Sequence, residues 1–308
     1  MAQQTRIDQM QPYYARFLKQ FPNVDTLADA DSQTVLKSWE GLGYYSRVRN
    51  LHDAAKQVVT KHGGKLPHTQ KELEELKGFG PYISAAVASI AFNQDIPVVD
   101  GNVLRVTTRF WGISDDVSLP KTRIKIGEML AQVLLHGKAR EFNQGLMELG
   151  ALVCIPDNPL CNECPLQKSC FAFLHSKQSE FPVKAKKGKA PQKHFAMIVL
   201  REGNALGFQQ RQSKLLSGMW EFPMVEFAPL RDTPNDIEQK FAENGMRIKL
   251  GKTAGEVSHT YSHFTQHVHV FESTLTQSLS DLSWFDSLAL KTKPLSIVLL
   301  GVLELLKK

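Results

Sequence analysis

Four cysteines, the only four among 308 residues, fall within 17 positions as Cys154-x6-Cys161-x2-Cys164-x5-Cys170. So few cannot staple a chain of this length, and a disulfide framework would spread them along it. Crowded thiols suit a four-thiolate metal site, whose ligands must converge on one small volume. Zinc sites usually show two CxxC-like knuckles separated by a longer span. Here a single CxxC is flanked by gaps of six and five. That suits a [4Fe–4S] cluster better, with zinc as the alternative and unrelated buried cysteines as the third reading. A second chemical signal is Leu76-Lys77-Gly78-Phe79-Gly80-Pro81-Tyr82. Gly78 and Gly80 let a turn run tightly and point N–H groups outward beside a helix N-terminus, a nest for a phosphate oxygen of any base sequence. An ordinary helix–turn–helix corner would look the same. Asp100, within Val98-Val99-Asp100-Gly101-Asn102-Val103, lies 18 residues beyond Tyr82.

The elements that must position these groups are helical through residue 175. Ser32–Trp39, Ser46–Lys61, Thr69–Leu76, Ser84–Phe92 and Lys121–Leu134 repeat apolar residues at three- and four-residue spacing. Lys177–Lys193 then carries six lysines, two prolines and a glycine without apolar period, the composition of a linker. Beyond it Phe195–Leu200, Leu206–Gln210 and Val268–Phe271 read as strands, and Asp236–Asn244 and Pro294–Leu306 as helices. The expected organisation is a multidomain chain: an all-α domain over 1–176, a basic linker over 177–193, and an α+β domain over 194–308. Net charge +6 permits a polyanionic partner without establishing one. Apolar stretches fall far short of the ~20 residues that cross a bilayer, and no secretory signal opens the chain. A reducing, cytoplasmic setting and no membrane partner are expected.

Hairpin, aspartate and cysteine loop, in that order and spacing, resemble the endonuclease III superfamily of DNA base-excision glycosylases across the whole first domain. The resemblance implies a helix-hairpin-helix fold with a [4Fe–4S] cluster on Cys154, Cys161, Cys164 and Cys170. Bifunctional members carry a lysine at the position of Tyr82, whose amine forms a Schiff base with the sugar. Tyr82 implies hydrolysis of the N-glycosidic bond alone. Other segments narrow the likeness to the adenine DNA glycosylases. Ala2-Gln3-Gln4-Thr5-Arg6 resembles a segment that wedges into the duplex, which makes Gln3, Gln4, Thr5 and Arg6 expected DNA contacts. Trp39–Leu51 is similar almost throughout, and within it Tyr44 would enter a base step while Arg47 supports binding. Thr260-Tyr261-Ser262-His263-Phe264 resembles the family's Phe-Ser-His loop, with tyrosine for phenylalanine; it implies that Ser262 and His263 read 8-oxoguanine. The order of strands, Ser217–Pro223 loop and helix resembles a Nudix-like domain. No dense run of acids follows Gly218, so this domain is expected to bind without cutting a pyrophosphate.

The implied substrate is double-stranded DNA with adenine opposite 8-oxoguanine or guanine, engaged by a monomer associated with the nucleoid. Adenine leaves with difficulty, and its departure places positive charge on the sugar; an acid must protonate the base and an anion must stabilise the oxocarbenium-like state. By resemblance Asp100 is that anion, assisted by Tyr82 and Asn102. The family's acid is a glutamate in a Ser-Glu-x-Met-Leu-Gln-Gln-Thr context, which would fall upstream of Met1. The implied activity is removal of that adenine by simple hydrolysis, the alternative being a truncated, catalytically impaired lesion-DNA-binding protein; without that glutamate, these 308 residues are expected to bind lesion DNA weakly and to excise adenine very slowly.

Overall fold

The computed structural model describes residues 1, 5, 7–185, 188, 190–278 and 282–307. Gln3, Gln4 and Arg6, expected at the DNA, lie outside the described residues, as do Lys186, Lys187 and Lys189 of the linker stretch. The chain forms two compact units: residues 57–187, and residues 1–56 together with 188–308. No helix among the described residues is long and apolar enough to cross a membrane.

The helical stretch comprises α1 (Ile7–Gln20), α2 (Val24–Asp29), α3 (Ser32–Ser38), α4 (Ser46–His62), α5 (Gln70–Glu74), α6 (Pro81–Phe92), α7 (Gly101–Trp111), α8 (Pro120–Val133), α9 (Ala139–Glu148) and α10 (Phe171–Leu174). Local chemistry sets many of the starts. Asn23 with Thr26, and Thr69 with Glu72, form reciprocal capping boxes. Prolines open α6 and α8, where the missing N–H costs nothing. Helix α5 ends earlier than the apolar spacing predicts, because Gly78 takes φ +80° and turns the chain. Within residues 57–187, Val103, Leu104, Ile113, Val117, Ile126 and Leu130 form the core. Asn143 is wholly buried; it accepts from the Val98 N–H at 2.9 Å and donates to the Ile96 carbonyl at 2.8 Å. A non-helical segment cannot satisfy those groups itself, so this amide fixes the stretch that delivers Asp100 to α7.

The carboxyl-terminal domain holds two four-stranded sheets, the larger of them mixed, and two helices. Its strands are β1 (Gln192–Val199), β2 (Arg201–Glu202), β3 (Ala205–Gln210), β4 (Trp220–Glu221), β5 (Met224–Phe227), β6 (Met246–Thr260), β7 (Thr265–Ser278) and β8 (Ser283–Phe285), with α11 (Pro234–Glu243) and α12 (Ile297–Leu305). The main sheet runs β5-β1-β7-β6, with β1 and β7 parallel and the other pairs antiparallel. The continuous apolar run of β1 reflects burial on both faces. Met197 and Val199 meet α12 residues Val298, Leu299 and Val302; Ala196, Ile198 and Leu200 meet Ile237 and Phe241 of α11. Strands β6 and β7 form a long hairpin whose tip is residues 261–264.

Three histidines of residues 1–56 and 188–308 give stability a pH dependence. Burial and then Lys56 hold His52 below its ordinary value, burial lowers His259, and burial with His194 and His267 lowers His269 against the pull of Glu256. Each is neutral when folded and takes up a proton more readily once unfolded. Their contribution is therefore complete above about pH 6.5 and is lost as pH falls from there through the folded values. Thermal midpoints measured between pH 8 and 5 are expected to hold steady and then drop below about 6.5. His52→Phe should flatten part of that drop; an unchanged midpoint down to pH 5 would contradict it.

Candidate active site and cysteine cavity

Asp100 is the N-cap of α7: one carboxylate oxygen accepts from the Val103 N–H at 2.7 Å. The helix dipole favours negative charge there, and the second oxygen remains for other work. That oxygen lies 3.4 Å from the Asn102 side-chain amide, whose own oxygen accepts from Arg105 at 2.9 Å. Because a guanidinium can only donate, Arg105 settles which way the Asn102 amide points and turns its NH2 toward Asp100. Arg105 also donates to the carbonyls of Gly150 at 2.6 Å and Cys154 at 2.7 Å. Tyr82 is the second residue of α6 and is 37% exposed. Burial and the nearby Asp100 charge push its phenol up, leaving a neutral hydroxyl able to donate at physiological pH.

Residues 76–82 form the expected turn. The Lys77 N–H donates to the Gln57 side chain at 2.6 Å, and the Phe79 N–H to the Leu76 carbonyl at 3.1 Å. Gly78 alone needs a left-handed backbone; Gly80, at φ −77°, is the N-cap of α6, and no side chain caps that end. A bare helix N-terminus is the geometry that accepts an anion.

The four cysteines line one cavity with Arg109, Val153, Pro159, Gln167, Phe173 and Gln178. Short backbone-bonded turns at 161–164, 164–167 and 167–170 bring them round. Arg109, only 3% exposed, donates to the carbonyls of Ile155 and Pro156 at 2.7 Å each, and its Nη1 lies 3.4 Å from the Cys154 sulfur. Gln178 Nε2 stands 3.9 Å from the Cys161 sulfur. Thiols with N–H donors turned toward their sulfurs are a donor set that fits an iron–sulfur cluster. Among the described residues, no three His, Cys, Asp or Glu side chains gather closely enough to hold a single metal ion.

The other expected contacts fall on residues 1–56 and 188–308. Tyr44 takes φ +50°, is half exposed, and has the Arg47 guanidinium 5.2 Å from its ring centroid. Arg47 also donates to Thr5 at 3.3 Å. Ser262 and His263 stand exposed at the β6–β7 tip, their side chains 3.4 Å apart. The acids of residues 232–243 are committed elsewhere. Asp232 pairs with Lys240, Asp236 closes a capping box, and Glu238 accepts from the Leu250 N–H at 2.8 Å.

Sequence reasoning did not single out Arg105, Arg109 or Gly150. Two arginines four apart on α7 put both on one helix face, a signal available in the sequence. Gly150, where a Cβ would come within 2.7 Å of the Asn102 Cβ, carries no such mark.

Both parts of the chain are similar to known proteins. Residues 1–132 match the family model for HhH-GPD superfamily base excision DNA repair proteins, and 195–305 match the NUDIX domain model. An adenine DNA glycosylase of Buchnera aphidicola is 34% identical over 87% of this chain and 75% of its own. The adenine DNA glycosylase of Mus musculus is 32% identical over 90% of this chain; the match spans 63% of the mouse protein. A solved thermostable thymine-DNA glycosylase superposes on 56% of this chain and 79% of its own with TM-score 0.50 at 27% identity.

Proposed function

Because the chain belongs to the adenine DNA glycosylase family, we propose that it removes adenine from double-stranded DNA opposite 8-oxoguanine or guanine, acting as a monomer. The observation that carries the reading is Asp100: a carboxylate fixed by its own helix, with one oxygen left for substrate and a tyrosine where a lyase needs an amine. The target adenine must leave the stack before it can be reached. As its bond to the sugar lengthens, positive charge grows on the deoxyribose, and the outward oxygen of Asp100 stabilises it. Asn102, held by Arg105, keeps that oxygen oriented. Tyr82 supplies a neutral hydroxyl and no nucleophilic amine, so water adds to the sugar as its bond to adenine breaks, and the proton that water gives up balances the one the departing adenine takes up. Borohydride trapping on damaged duplex, run beside an adenine-release assay, tests this: free adenine without a covalent adduct is expected, and an adduct would overturn it.

The uncapped α6 terminus with Gly78 and Gly80 takes a backbone phosphate, Tyr44 enters the base step, and Thr5 with Arg47 supports it. Gln3, Gln4 and Arg6 carry the family's wedge pattern by sequence. Ser262 and His263 read the 8-oxoguanine. Cys154, Cys161, Cys164 and Cys170 would hold a [4Fe–4S] cluster. A tetrahedral zinc draws four sulfurs to about 2.3 Å from one ion, whereas a cubane spreads its ligands over several irons. A single CxxC flanked by gaps of six and five suits the second. When bound, the cluster would anchor the loop whose Gly150 and Cys154 carbonyls hold Arg105.

Gly150→Ala provides a test of that support. The added methyl group must displace Asn102. Overpacking of this kind costs about 1–3 kcal/mol. Misplacing an orienting group by ~1 Å is expected to slow single-turnover adenine release about 10–100-fold. DNA affinity should stay near that of the unaltered chain. A rate equal to that chain's would contradict the role given to Asn102.

A further inference from the structure

Tyr44 and the Ser262–His263 tip come from opposite ends of the sequence yet belong to one compact unit. Side chains of the first 56 residues reach across to the backbone and side chains of the later segment. Gln33 accepts from the Trp220 indole N–H at 2.8 Å and donates to the Gly218 carbonyl at 2.9 Å. Glu40 accepts from the Leu295 N–H at 2.9 Å, and Lys37 donates to the Lys293 carbonyl at 3.0 Å. Arg49 donates to the Ser217 carbonyl at 3.0 Å. The approach is close. Gly218 sits at φ +82°, and a Cβ there would come within 3.1 Å of the Leu36 side chain. Directional bonds to backbone groups fix orientation in a way that apolar contact, which is non-directional, does not.

The two DNA-facing elements also meet this junction through their sequence neighbours. Tyr45, next to Tyr44, is 7% exposed, and its hydroxyl accepts from the Gly41 N–H at 3.1 Å. Burial chiefly, with Glu40, Tyr13 and Tyr261 adding, pushes its phenol up to about 12. Tyr261, next to Ser262, thus lies within electrostatic reach of Tyr45. It stacks on Phe264 at 5.0 Å and meets His259 edge-on at 4.6 Å. Its hydroxyl is buried without a hydrogen-bond partner, so the ring stack, not the hydroxyl, sets the root of the tip.

We propose that Gln33 and Glu40 are positioning residues that hold Tyr44 and Ser262–His263 at a fixed spacing, so that the duplex is wedged only where the oxidised guanine is read. The inference rests on the DNA roles given above to Tyr44 and to Ser262–His263. Gln33 on α3 and Glu40 just beyond it lead into the turn that carries Tyr44; the Trp220 and Leu295 they hold pair with each other ahead of α12, which packs on β6, the strand that runs to the Ser262–His263 tip. Loss of the pins leaves both readers present but no longer in register.

The test compares the unaltered chain with Gln33→Met, which keeps bulk but removes both hydrogen bonds, and with Glu40→Ala and Glu40→Gln. Each is titrated with a duplex holding 8-oxoguanine opposite an uncleavable adenine analogue, and with an undamaged duplex. Gln33→Met and Glu40→Ala are expected to bind undamaged DNA as before and to lose about tenfold in selectivity for the damaged duplex. Glu40→Gln keeps an acceptor for the Leu295 N–H and should restore most of it. Full selectivity in both disrupting variants, at unchanged melting temperature, overturns the proposal, as does equal weakening toward both duplexes. An unaltered chain without selectivity overturns the lesion-reading role itself, and the proposal with it.

Discussion

Asp100→Asn is expected to lower single-turnover adenine release by about 10³-fold or more while leaving the fold and DNA affinity nearly unchanged. The size follows from what is lost. A preorganised group facing developing charge in a water-poor site typically accounts for about 10²–10³ in rate for a neutral donor, and a full carboxylate opposite a cation exceeds that. The fold survives because asparagine caps a helix as well as aspartate does, so the bond from the Val103 N–H to position 100 persists. Parallel measurement of melting temperature and duplex affinity separates the two effects. A rate within threefold or so of the unaltered chain's would remove Asp100 from the chemistry.

Cys164→Ser is expected to abolish binding of the proposed [4Fe–4S] cluster. Iron should fall from about four per chain, with loss of visible absorption. Metal affinity that holds a loop is folding energy, so the melting temperature should fall too. The consequence should reach the active site. The turns around Cys154 present the carbonyls that Arg105 grips, and Arg105 holds Asn102 beside Asp100. Adenine release should therefore fall together with iron content. Reconstitution with iron and sulfide should rescue partly depleted unaltered chain and not the variant. Zinc at one ion per chain, with no iron taken up on reconstitution, would decide for the other metal.

Much of this architecture is legible in the residues. The cysteine spacing, the Gly78–Gly80 turn and Asp100 before Gly101 are local patterns, and each becomes a local structure: turns round a cavity, a left-handed corner, a helix cap. The apolar run of β1 is equally readable, since a strand buried on both faces needs no alternation. Three kinds of information are not local. Helix α5 stops short because the Gly78 corner outweighs the apolar spacing that continues to Leu76. The length of β6 and β7 comes from their pairing with each other, which short apolar windows do not reveal. The grip of Arg105 on the Gly150 and Cys154 carbonyls, and of Gln33 on Trp220, joins residues 45 to 187 positions apart. One periodicity cannot announce both ends of such a contact.

The most direct test of the central claim is a single-turnover reaction on duplex DNA with one 8-oxoguanine:adenine pair, scoring free adenine and strand integrity together. Adenine is expected to be released, the strand to stay whole until alkali is added, and Asp100→Asn to abolish the release. Tight and selective binding with no more adenine released than by Asp100→Asn, or strand cleavage without alkali, would contradict it.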